Sequence, residues 1–520
     1  MRLKRLNAPG SRPFTIIPVP ILVVLLLFSS CNFKGIGGKN LKQTPAPVSS
    51  ESPGISDALS LSEEIMKTKT GIRTLENGGE SLILRLWLLE HAQGSIDLQY
   101  YSFARDATGV AVSSYLVSAA DRGVKIRLLL DDAATRMRSH EISLLDSHEN
   151  IEVRIYNAGL LLGRLDQRLA KLAKNSNRLL RRMHNKTFTV DGRYCLTGGR
   201  NISNEYFDYN RRFNFRDRDV LIIGKAVADV QSSFEKFWND ELTVTYAELA
   251  GRRNKKEKYK EPSRFDKLHE DAGKSLSPAM IDRIKTVPGD MEKTSSTNPI
   301  VWTGNVSFIS DVPGKNEDKA SREGGICNDS MMALLKLAKT SIDIQSPYFI
   351  TTEESRLLLR EMTQRGVKIR LLTNSLASID NIEAFSGYQQ DRQAILDAGV
   401  ELYEFRPDPE IRYKLMIPEI QSGISYKPVY GLHSKSIIID GITAVIGSYN
   451  FDPRSANLNT ECIAVFRSAE VSRNLARYFE NEFLPENAWR TTKDRNYDKE
   501  AGLKKRMKAR LRRVIPKRLL

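Results

Sequence analysis

The octapeptide Arg122-Gly-Val-Lys-Ile-Arg-Leu-Leu129 occurs a second time, without change, at Arg365–Leu372. In each copy an apolar β-rich segment and then a helix-like stretch precede the octapeptide. Its glycine is a typical helix stop, and the residues after the glycine indicate a strand. The order strand, helix, strand is a β-α-β unit, which favours a parallel or mixed sheet covered by helices. The 520-residue chain is therefore predicted to contain two copies of one α/β half.

A second pair of blocks, at a similar offset, carries the candidate chemistry. The first block contains His184, Lys186, Asp191, Gly198, Gly199, Asn201 and Glu205, and the second contains His433, Lys435, Asp440, Gly447, Ser448, Asn450 and Glu461. In both blocks Asp follows His at position +7, the first Gly follows Asp at +7, and Asn follows that Gly at +3. The chain has only six histidines, so two that share this pattern are a strong signal.

The spacing of histidine and lysine has a physical reason. Each block continues into a β-rich segment, and residues i and i+2 of a strand face the same side. His and Lys are therefore expected to project side by side into one cleft. A neutral imidazole can attack phosphorus, and a protonated one can donate to a leaving oxygen. Two histidines on either side of a phosphodiester could carry out a displacement through a covalent intermediate.

The other residues of the blocks have expected supporting roles. Four amide and ammonium groups are expected to hold the non-bridging phosphate oxygens: Lys186, Lys435, Asn201 and Asn450. Four small residues are expected to let the backbone approach the same phosphate: Gly198, Gly199, Gly447 and Ser448. Four carboxylates are candidates to orient or polarise the histidines: Asp191, Asp440, Glu205 and Glu461. No metal or other cofactor is expected, because the lysines and amides supply the positive potential.

The charge of the chain points to anionic partners. Lys and Arg number 79 and Asp and Glu 63, which gives a net charge of +16 and favours phospholipid surfaces or nucleic acid. Nine basic residues and no acid lie in Lys504–Arg518, where Leu503, Met507, Leu511 and Val514 or Ile515 recur at helical spacing. This pattern predicts a basic amphipathic helix on an anionic bilayer, with a disordered end or a nucleic-acid arm as the alternatives.

The N-terminus has the pattern of a secretory signal. Basic residues are followed by the apolar run Ile16–Phe28 and then by Ser29-Ser30-Cys31. A cysteine in this place resembles the lipidated residue of a bacterial lipoprotein, and an uncleaved membrane anchor is the alternative. Either way we expect a protein of the bacterial cell envelope that a membrane holds, with its catalytic domains in the periplasm.

The predicted organisation has six parts. They are a signal or anchor at 1–31, a flexible tether at 32–75, a first half at 76–250, a polar linker at 251–300, a second half at 301–490 and a basic tail at 491–520. Since 41% of the residues are hydrophobic, the chain can build a sizeable core and is not disordered as a whole.

The paired His-x-Lys-x4-Asp blocks resemble those of the phospholipase D superfamily. More narrowly, Gly198–Tyr206 and Gly447–Arg454 are similar to bacterial cardiolipin synthases of the C type. The resemblance implies two phospholipase D-like α/β halves, each a mixed sheet flanked by helices, related by a pseudo-twofold axis with the site between them. It also implies a phosphohistidine, with His184 as the nucleophile and His433 as the acid–base; the reverse assignment remains open.

The resemblance implies a membrane-attached phosphatidyltransferase. Such enzymes join a phosphatidyl group from one phospholipid, which here could be phosphatidylethanolamine, to the glycerol head of phosphatidylglycerol. The same constellation would also serve a hydrolase, either a phospholipase D proper or a nuclease, and a non-catalytic lipid-binding scaffold is a third possibility. We expect phospholipid substrates and an anionic membrane surface as partners, and no nucleic acid.

Overall fold

The computed structural model describes residues 54–159, 162, 180–250, 263–316, 324–416 and 428–520. The strands are β1 Thr70–Leu75, β2 Ser95–Tyr100, β3 Lys125–Asp131, β4 Ile151–Tyr156, β5 Thr187–Val190, β6 Tyr194–Gly198, β7 Phe213–Arg216, β8 Asp219–Gly224, β9 Thr243–Thr245, β10 Val301–Thr303, β11 Val306–Ser310, β12 Ser341–Gln345, β13 Lys368–Asn374, β14 Glu401–Phe405, β15 Val429–Leu432, β16 Ser436–Ile439, β17 Thr443–Gly447, β18 Cys462–Arg467 and β19 Ala488–Thr491.

The α-helices are α1 Ile55–Ala58, α2 Glu63–Thr68, α3 Gly78–His91, α4 Ala107–Asp121, α5 Ser139–Leu145, α6 Val227–Trp238, α7 Tyr246–Leu249, α8 Ser263–Ser275, α9 Pro278–Lys285, α10 Val287–Lys293, α11 Ile326–Lys336, α12 Glu353–Gln364, α13 Ile382–Asp397, α14 Arg412–Leu415, α15 Pro453–Asn457, α16 Ala469–Phe483 and α17 Leu503–Arg512. Short 3-10 turns lie at Asn204–Tyr206, Asp498–Glu500 and Lys517–Leu519.

The strands form two large sheets with matching orders. The first sheet has the order β10-β1-β8-β6-β5-β2-β3-β4-β9, and the second has the order β11-β18-β17-β16-β12-β13-β14-β19. The pairs β2–β3 and β3–β4 are parallel, as are their counterparts β12–β13 and β13–β14. Every other pair within the two sheets is antiparallel. The predicted α/β class with two duplicated mixed-sheet halves is confirmed.

The repeated octapeptide has the conformation that its sequence predicts. Gly123 and Gly366 follow α4 and α12 with φ angles of +95° and +89°, the left-handed conformation that a glycine adopts without a Cβ clash. The strands β3 and β13 begin two residues later, and both show the same alternation of buried and more exposed positions at their start. The octapeptide therefore places the middle strand of the three parallel strands in each half.

The two halves share a hydrophobic core. Buried side chains of the first sheet, such as Val220 and Ile222, belong to one apolar cluster with Ile438, Ile446 and Phe466 of the second sheet. Burial of this many apolar groups strongly favours the closed arrangement, at about 25 cal/mol for each Å² removed from water. The core fixes the two sheets against each other and therefore fixes the two histidine blocks.

Two of the predicted boundaries differ from the structure. Residues 54–75, expected to belong to a flexible tether, form α1, α2 and β1, and β1 lies inside the first sheet between β10 and β8. In the stretch expected to be a polar linker, α8, α9 and α10 pack on the first half through buried side chains such as Phe265, Met280 and Ile284. Their apolar residues recur at helical spacing, which a composition average conceals.

Other predicted segments lie outside the described residues. These are the signal or anchor with Cys31, the tether up to residue 53 and the beginning of the polar linker, residues 251–262. Among the residues that are described, no helix has the length and hydrophobicity needed to cross a bilayer.

Candidate active site

Each candidate histidine is held by the backbone of the opposite half. Strand β15, directly before His433, pairs in parallel with β7 of the first half, and the His433 amide donates to the Arg216 carbonyl at 2.7 Å. Met183, directly before His184, forms a parallel bridge with Thr460, and the His184 amide donates to the Thr460 carbonyl at 2.9 Å. The duplication therefore brings both histidines, which are buried, to the junction of the halves.

The carboxylate that contacts each histidine also comes from the opposite half. Nδ1 of His184 lies 2.8 Å from Oε2 of Glu461, and Nδ1 of His433 lies 2.5 Å from Oδ2 of Asp217. An ionised carboxylate accepts a hydrogen bond from Nδ1–H, so the lone pair of the neutral imidazole is on Nε2. Each ring is thereby prepared to react through Nε2.

Asp217 is the counterpart of Glu461, and the sequence analysis missed it. Gly198 pairs with Asp219 and Gly447 pairs with Ile463, so Asp217 and Glu461 each lie two residues before the partner of the motif glycine. The loop between glycine and carboxylate is five residues longer in the first half, with 217 − 198 = 19 against 461 − 447 = 14. A comparison aligned on β8 and β18 instead of on constant spacing would have found Asp217.

Glu205 does not orient a histidine, which corrects the prediction. Its carboxylate forms an ion pair with Arg136 at 3.3 Å and accepts a hydrogen bond from Ser203. It follows Asn201 by four residues, in the loop before β7, whereas the orienting carboxylate comes after β7.

Asp191 and Asp440 do not orient the histidines either. Oδ1 of Asp191 accepts from the amides of Gly94 at 2.7 Å and Ser95 at 3.0 Å. Oδ1 of Asp440 accepts from the amides of Thr340 at 2.7 Å and Ser341 at 3.0 Å. Seven residues of extended chain span roughly 23 Å, so each carboxylate lies at the far end of its strand and fixes the start of the neighbouring one.

The two lysines lie beside their histidines, as the i and i+2 spacing predicts. Nζ of Lys186 donates to the His184 carbonyl at 2.7 Å, and Nζ of Lys435 donates to the His433 carbonyl at 2.6 Å. Nζ of Lys435 also lies 3.0 Å and 3.1 Å from Nδ1 and Nε2 of His433, a contact without a counterpart among the hydrogen bonds that Lys186 makes in the described residues.

The electrostatics show that the four groups share one site. Burial lowers the pKa of His184 to about 4 and that of His433 to about 3, and the charges of both lysines add to the effect on each ring. Burial also lowers the pKa of Lys186 to about 8 and that of Lys435 to about 7, the latter with the help of Lys186. The lysine of each half thus acts on the histidine of the other, in agreement with the contacts that each histidine makes to the opposite half.

The carboxylates keep their charge in this buried place. Burial raises the pKa of Glu461, but the charges of His184 and Lys186 outweigh it, and the net pKa lies below its usual range. The pKa of Asp217 is lowered in the same way, because His433 and Lys435 outweigh its burial. An ionised carboxylate behind each imidazole stabilises the imidazolium that proton transfer would form.

The two asparagines differ. Both polar atoms of the Asn201 side chain have a partner, because Nδ2 donates to the Tyr206 hydroxyl at 2.9 Å and Oδ1 accepts from the Ser102 amide at 3.1 Å. In the part of the chain that the structure describes, Oδ1 of Asn450 is buried and has no hydrogen-bond partner. Buried polar atoms are rarely left without a partner, so Oδ1 of Asn450 has the capacity to accept a hydrogen bond from a donor group of a ligand, such as a hydroxyl.

The glycines of the blocks lie close to protein atoms on the side where a Cβ would be. A Cβ on Gly199 would lie 2.2 Å from Oδ1 of Asp217, and a Cβ on Gly447 would lie 2.3 Å from the Cys462 carbonyl oxygen. Gly198 is equally close to Asp219, at 2.4 Å. Ser448 donates from Oγ to Glu461 at 2.5 Å. Gly199 and Ser448 therefore contact the carboxylates that hold the histidines, whereas Gly198 and Gly447 lie against the neighbouring strands, and phosphate binding by these residues stays a prediction.

Aromatic rings enclose the histidines, and the sequence patterns did not reveal them. The Tyr101 ring meets His184 edge-on with 4.9 Å between centroids. Tyr206 and Phe215 meet His433 at 5.1 Å and 4.8 Å. Rings packed in this way restrict the rotation of each imidazole and keep Nε2 in a fixed direction.

The comparisons with known proteins agree with this arrangement. A family model described as cardiolipin synthase, PLD-like domain, matches residues 86–238 and 331–483. The chain belongs to the cardiolipin synthase family. It is 36% identical to cardiolipin synthase C of Escherichia coli over 434 residues, which are 82% of this chain and 87% of that protein. It is 26% identical to cardiolipin synthase 1 of Bacillus cereus over 420 residues, 80% of this chain and 67% of that one.

The fold is shared with a solved enzyme. The crystal structure of a phosphatidylserine synthase from Haemophilus influenzae matches with a TM-score of 0.54 and 12% identity, covering 88% of this chain and 98% of that one. At this identity the match supports the fold alone. Membership of the cardiolipin synthase family confirms the resemblance seen in the sequence and makes the chain a phospholipid phosphatidyltransferase.

The two matched segments of the cardiolipin synthase family model contain the whole site. Residues 86–238 include His184 and Asp217, and residues 331–483 include His433 and Glu461. Each of the two repeats of this family member thus supplies one histidine and the carboxylate for the other repeat's histidine.

Proposed function

We propose that this protein makes cardiolipin from phosphatidylglycerol and a second phospholipid through a phosphohistidine intermediate. The observation that carries the proposal is the reciprocal pairing of the two histidines, His184 with Glu461 and His433 with Asp217. It supplies two reactive nitrogens, each with a fixed proton on its Nδ1 and a lone pair on its Nε2.

In the first step Nε2 of His184 attacks the donor phosphorus. A P–N bond forms and the P–O bond to the departing head group breaks, while His433 in its protonated form gives that oxygen a proton. The bound anionic phosphodiester would favour this proton on His433, since it offsets the charges of Lys186 and Lys435 that lower the pKa of the ring. The products are phosphatidyl-His184 and the released alcohol.

In the second step a hydroxyl group of phosphatidylglycerol attacks the same phosphorus. His433, now neutral, takes the hydroxyl proton, a P–O bond forms, the P–N bond breaks and His184 is regenerated. Lys186 and Lys435 are the groups that would stabilise the charge on the non-bridging oxygens, with the Nδ2 amide group of Asn450 as a further donor. The names of the relatives, cardiolipin synthases of two bacteria, support phosphatidylglycerol as the acceptor.

The asymmetry of the lysines supports His184 as the nucleophile. Nζ of Lys435 lies 3.0 Å from Nδ1 and 3.1 Å from Nε2 of His433, so its positive charge lies against the ring and would make Nε2 a weaker nucleophile. No such contact with a ring nitrogen is present for Lys186 among the described hydrogen bonds, in which Nζ donates to the His184 carbonyl.

Membrane attachment is part of the proposal. The N-terminal pattern with Cys31 lies outside the described residues, and its sequence supports lipidation or an uncleaved anchor in the cell envelope, with the catalytic halves in the periplasm. The lipid substrates that the family implies are consistent with such a place.

The test is to incubate the detergent-solubilised protein with phosphatidylglycerol, with and without phosphatidylethanolamine, and to identify the products by mass spectrometry. We expect cardiolipin. Phosphatidic acid as the only product would replace the transferase with a phospholipase D, and cleavage of DNA with both lipids unchanged would replace it with a nuclease.

The intermediate is tested with a donor labelled at phosphorus. With a donor whose leaving group is p-nitrophenolate, which departs without a proton, His433→Ala should retain label on the protein in an acid-labile form, since only the second step then needs His433, whereas His184→Ala should retain none. His140→Ala, in which an exposed histidine is removed, serves as the control with normal turnover. Label on the protein with His184→Ala but not with His433→Ala would reverse the roles of the two residues.

A further inference from the structure

The C-terminal helix α17 is attached to the second half by one of its faces. Nζ of Lys505 donates to the carbonyls of Ala377 and Ile379 at 3.1 Å and 2.6 Å, and Ala509 is buried in the core of that half. Arg512 forms an ion pair with Glu383 of α13 at 3.1 Å. The predicted amphipathic helix is thus present, and it is docked along its length instead of being a disordered end.

The opposite face of α17 is apolar and uncovered in this structure. Leu503, Met507, Leu511 and Val514 are 63%, 55%, 71% and 85% exposed. Their spacing of four, four and three residues puts Leu503, Met507 and Leu511 within a stripe on one side of the helix, and Val514 extends it in the turn after Arg512. Ile515, the alternative to Val514 in the sequence pattern, is buried against the second half instead.

Basic side chains border this stripe. Lys504, Lys508, Arg510 and Arg518 are exposed, and residues 503–520 include no acid. None of the salt bridges between described residues involves Lys504, Lys508 or Arg510. The stripe is therefore lined by cations whose charge faces solvent.

We propose that the stripe Leu503, Met507, Leu511 and Val514, with the cations beside it, inserts into the surface of an anionic phospholipid bilayer. Apolar side chains enter the boundary of the acyl chains, while lysine and arginine bind the lipid phosphates. A nucleic acid would use the cations but would leave the apolar stripe uncovered. The proposal deepens the proposed function, on which the identity of the partner as a phospholipid surface rests.

The helix α17, which carries the stripe, is connected to the active site through residues 379 and 380. Lys505 holds the carbonyl of Ile379, and the next residue, Asp380, accepts a hydrogen bond from the Tyr348 hydroxyl at 2.9 Å. The charge of Asp380 acts on Lys435 and on Lys505. Insertion of the stripe would thus bring the bilayer to the part of the second half that acts on the site through Asp380.

The test places an environment-sensitive fluorophore on the stripe of the full chain. Leu511→Cys is labelled, with Leu337→Cys as the matched control, because Leu337 is a leucine of the same half with 69% exposure. Any signal from label on Cys31 is the same in both proteins and cancels when their responses are compared. The other three cysteines, Cys195, Cys327 and Cys462, are buried. Since the readout is local, it does not depend on whether the N-terminus also holds the chain on the vesicle.

We expect vesicles of phosphatidylcholine with 30% phosphatidylglycerol to increase the emission at position 511 several-fold and to leave position 337 unchanged. Equal responses at both positions would overturn the proposal. So would a response at 511 to DNA without vesicles, or one that depends only on protein concentration and indicates self-association.

A variant without three of the cations tests their contribution apart from that of the apolar stripe. Lys504→Gln with Lys508→Gln and Arg510→Gln should lower the response at 511 about tenfold or more at limiting anionic lipid. An unchanged response would overturn the role of the cations. The inactive His184→Ala protein should respond like the active one, so that a failure of docking is distinguishable from a failure of catalysis.

Discussion

Nδ1 of His184 lies 2.8 Å from Oε2 of Glu461, a carboxylate 277 residues further along the chain. The pair crosses from one half to the other, and His433 with Asp217 crosses in the opposite direction. The orientation of each reactive ring therefore depends on the docking of the halves as well as on its own strand.

The reciprocal carboxylates are expected to be essential for turnover. Glu461→Gln and Asp217→Asn should each lower kcat by about 10²- to 10⁴-fold, because an amide in place of the carboxylate favours the wrong tautomer of the imidazole. Far-UV circular dichroism should be unchanged. Glu205→Gln, which removes the carboxylate beside Arg136, is the matched control and should stay within a few-fold of the parent. A large loss with Glu205→Gln and none with Asp217→Asn would make Glu205, and not Asp217, the carboxylate that orients the histidine.

Gly199 is expected to be needed to keep the Asp217 carboxylate in its position beside His433. Gly199→Ala would bring a Cβ to 2.2 Å from Oδ1 of Asp217, so the carboxylate must move away from His433. We expect kcat to fall tenfold or more, because a small misplacement of a catalytic group is costly. Gly304→Ala, where a Cβ would meet no atom within 4 Å, is the control, and equal rates for the two variants would contradict this role.

Asp440 is expected to act on stability and not on catalysis. Asp440→Ala removes the acceptor for the amides of Thr340 and Ser341 and places alanine at a φ of +52°. Each lost charged acceptor costs about 1–3 kcal/mol, so the thermal midpoint should fall by several degrees. The kcat at a temperature well below the midpoint should be within about threefold of the parent. Asp282→Ala, an exposed carboxylate, should leave both quantities unchanged.

The stability of the protein is expected to fall as the pH is lowered from 7 to 5. The folded pKa values of His184 and His433, about 4 and about 3, lie below the value of about 6.5 for an unfolded chain. Between these values the unfolded state binds more protons, so acid favours unfolding, by roughly 2 kcal/mol for each histidine at pH 5. The lowered pKa values of Asp217 and Glu461 act in the same direction at lower pH.

Thermal midpoints at pH 7 and pH 5 measure this effect. His184→Gln with His433→Gln should show a clearly smaller decrease than the parent, whereas His140→Gln, at an exposed position, should show the same decrease. An equal decrease in all three proteins would assign the acid sensitivity to other groups.

The sequence predicted most of what depends on local spacing. The octapeptide placed β3 and β13 with their helices, and the i and i+2 rule placed each lysine beside its histidine. It failed where the relationship is long-range. Nothing in the constant spacing of the blocks marks Asp217, because its loop has a different length, and nothing local indicates that Glu461 serves the histidine of the other half.

Two other errors have local causes. Asp191 and Asp440 share the spacing of the motif, but seven residues along a strand carry a side chain away from the catalytic end. In α8–α10, Phe265, Met280 and Ile284 lie among charged residues, so that a composition average predicts a linker, although the apolar residues share a face and are buried. The helical spacing in the tail predicted its stripe, and only the packing of the chain could distinguish Val514 from Ile515.

A duplicated unit normally offers redundancy, since one copy can decay while its twin continues to work. The exchange of carboxylates removes that freedom here, because loss of the carboxylate in either repeat leaves the histidine of the other repeat without the group that orients it. Neither repeat can lose its motif without loss of function, although the motif is present twice.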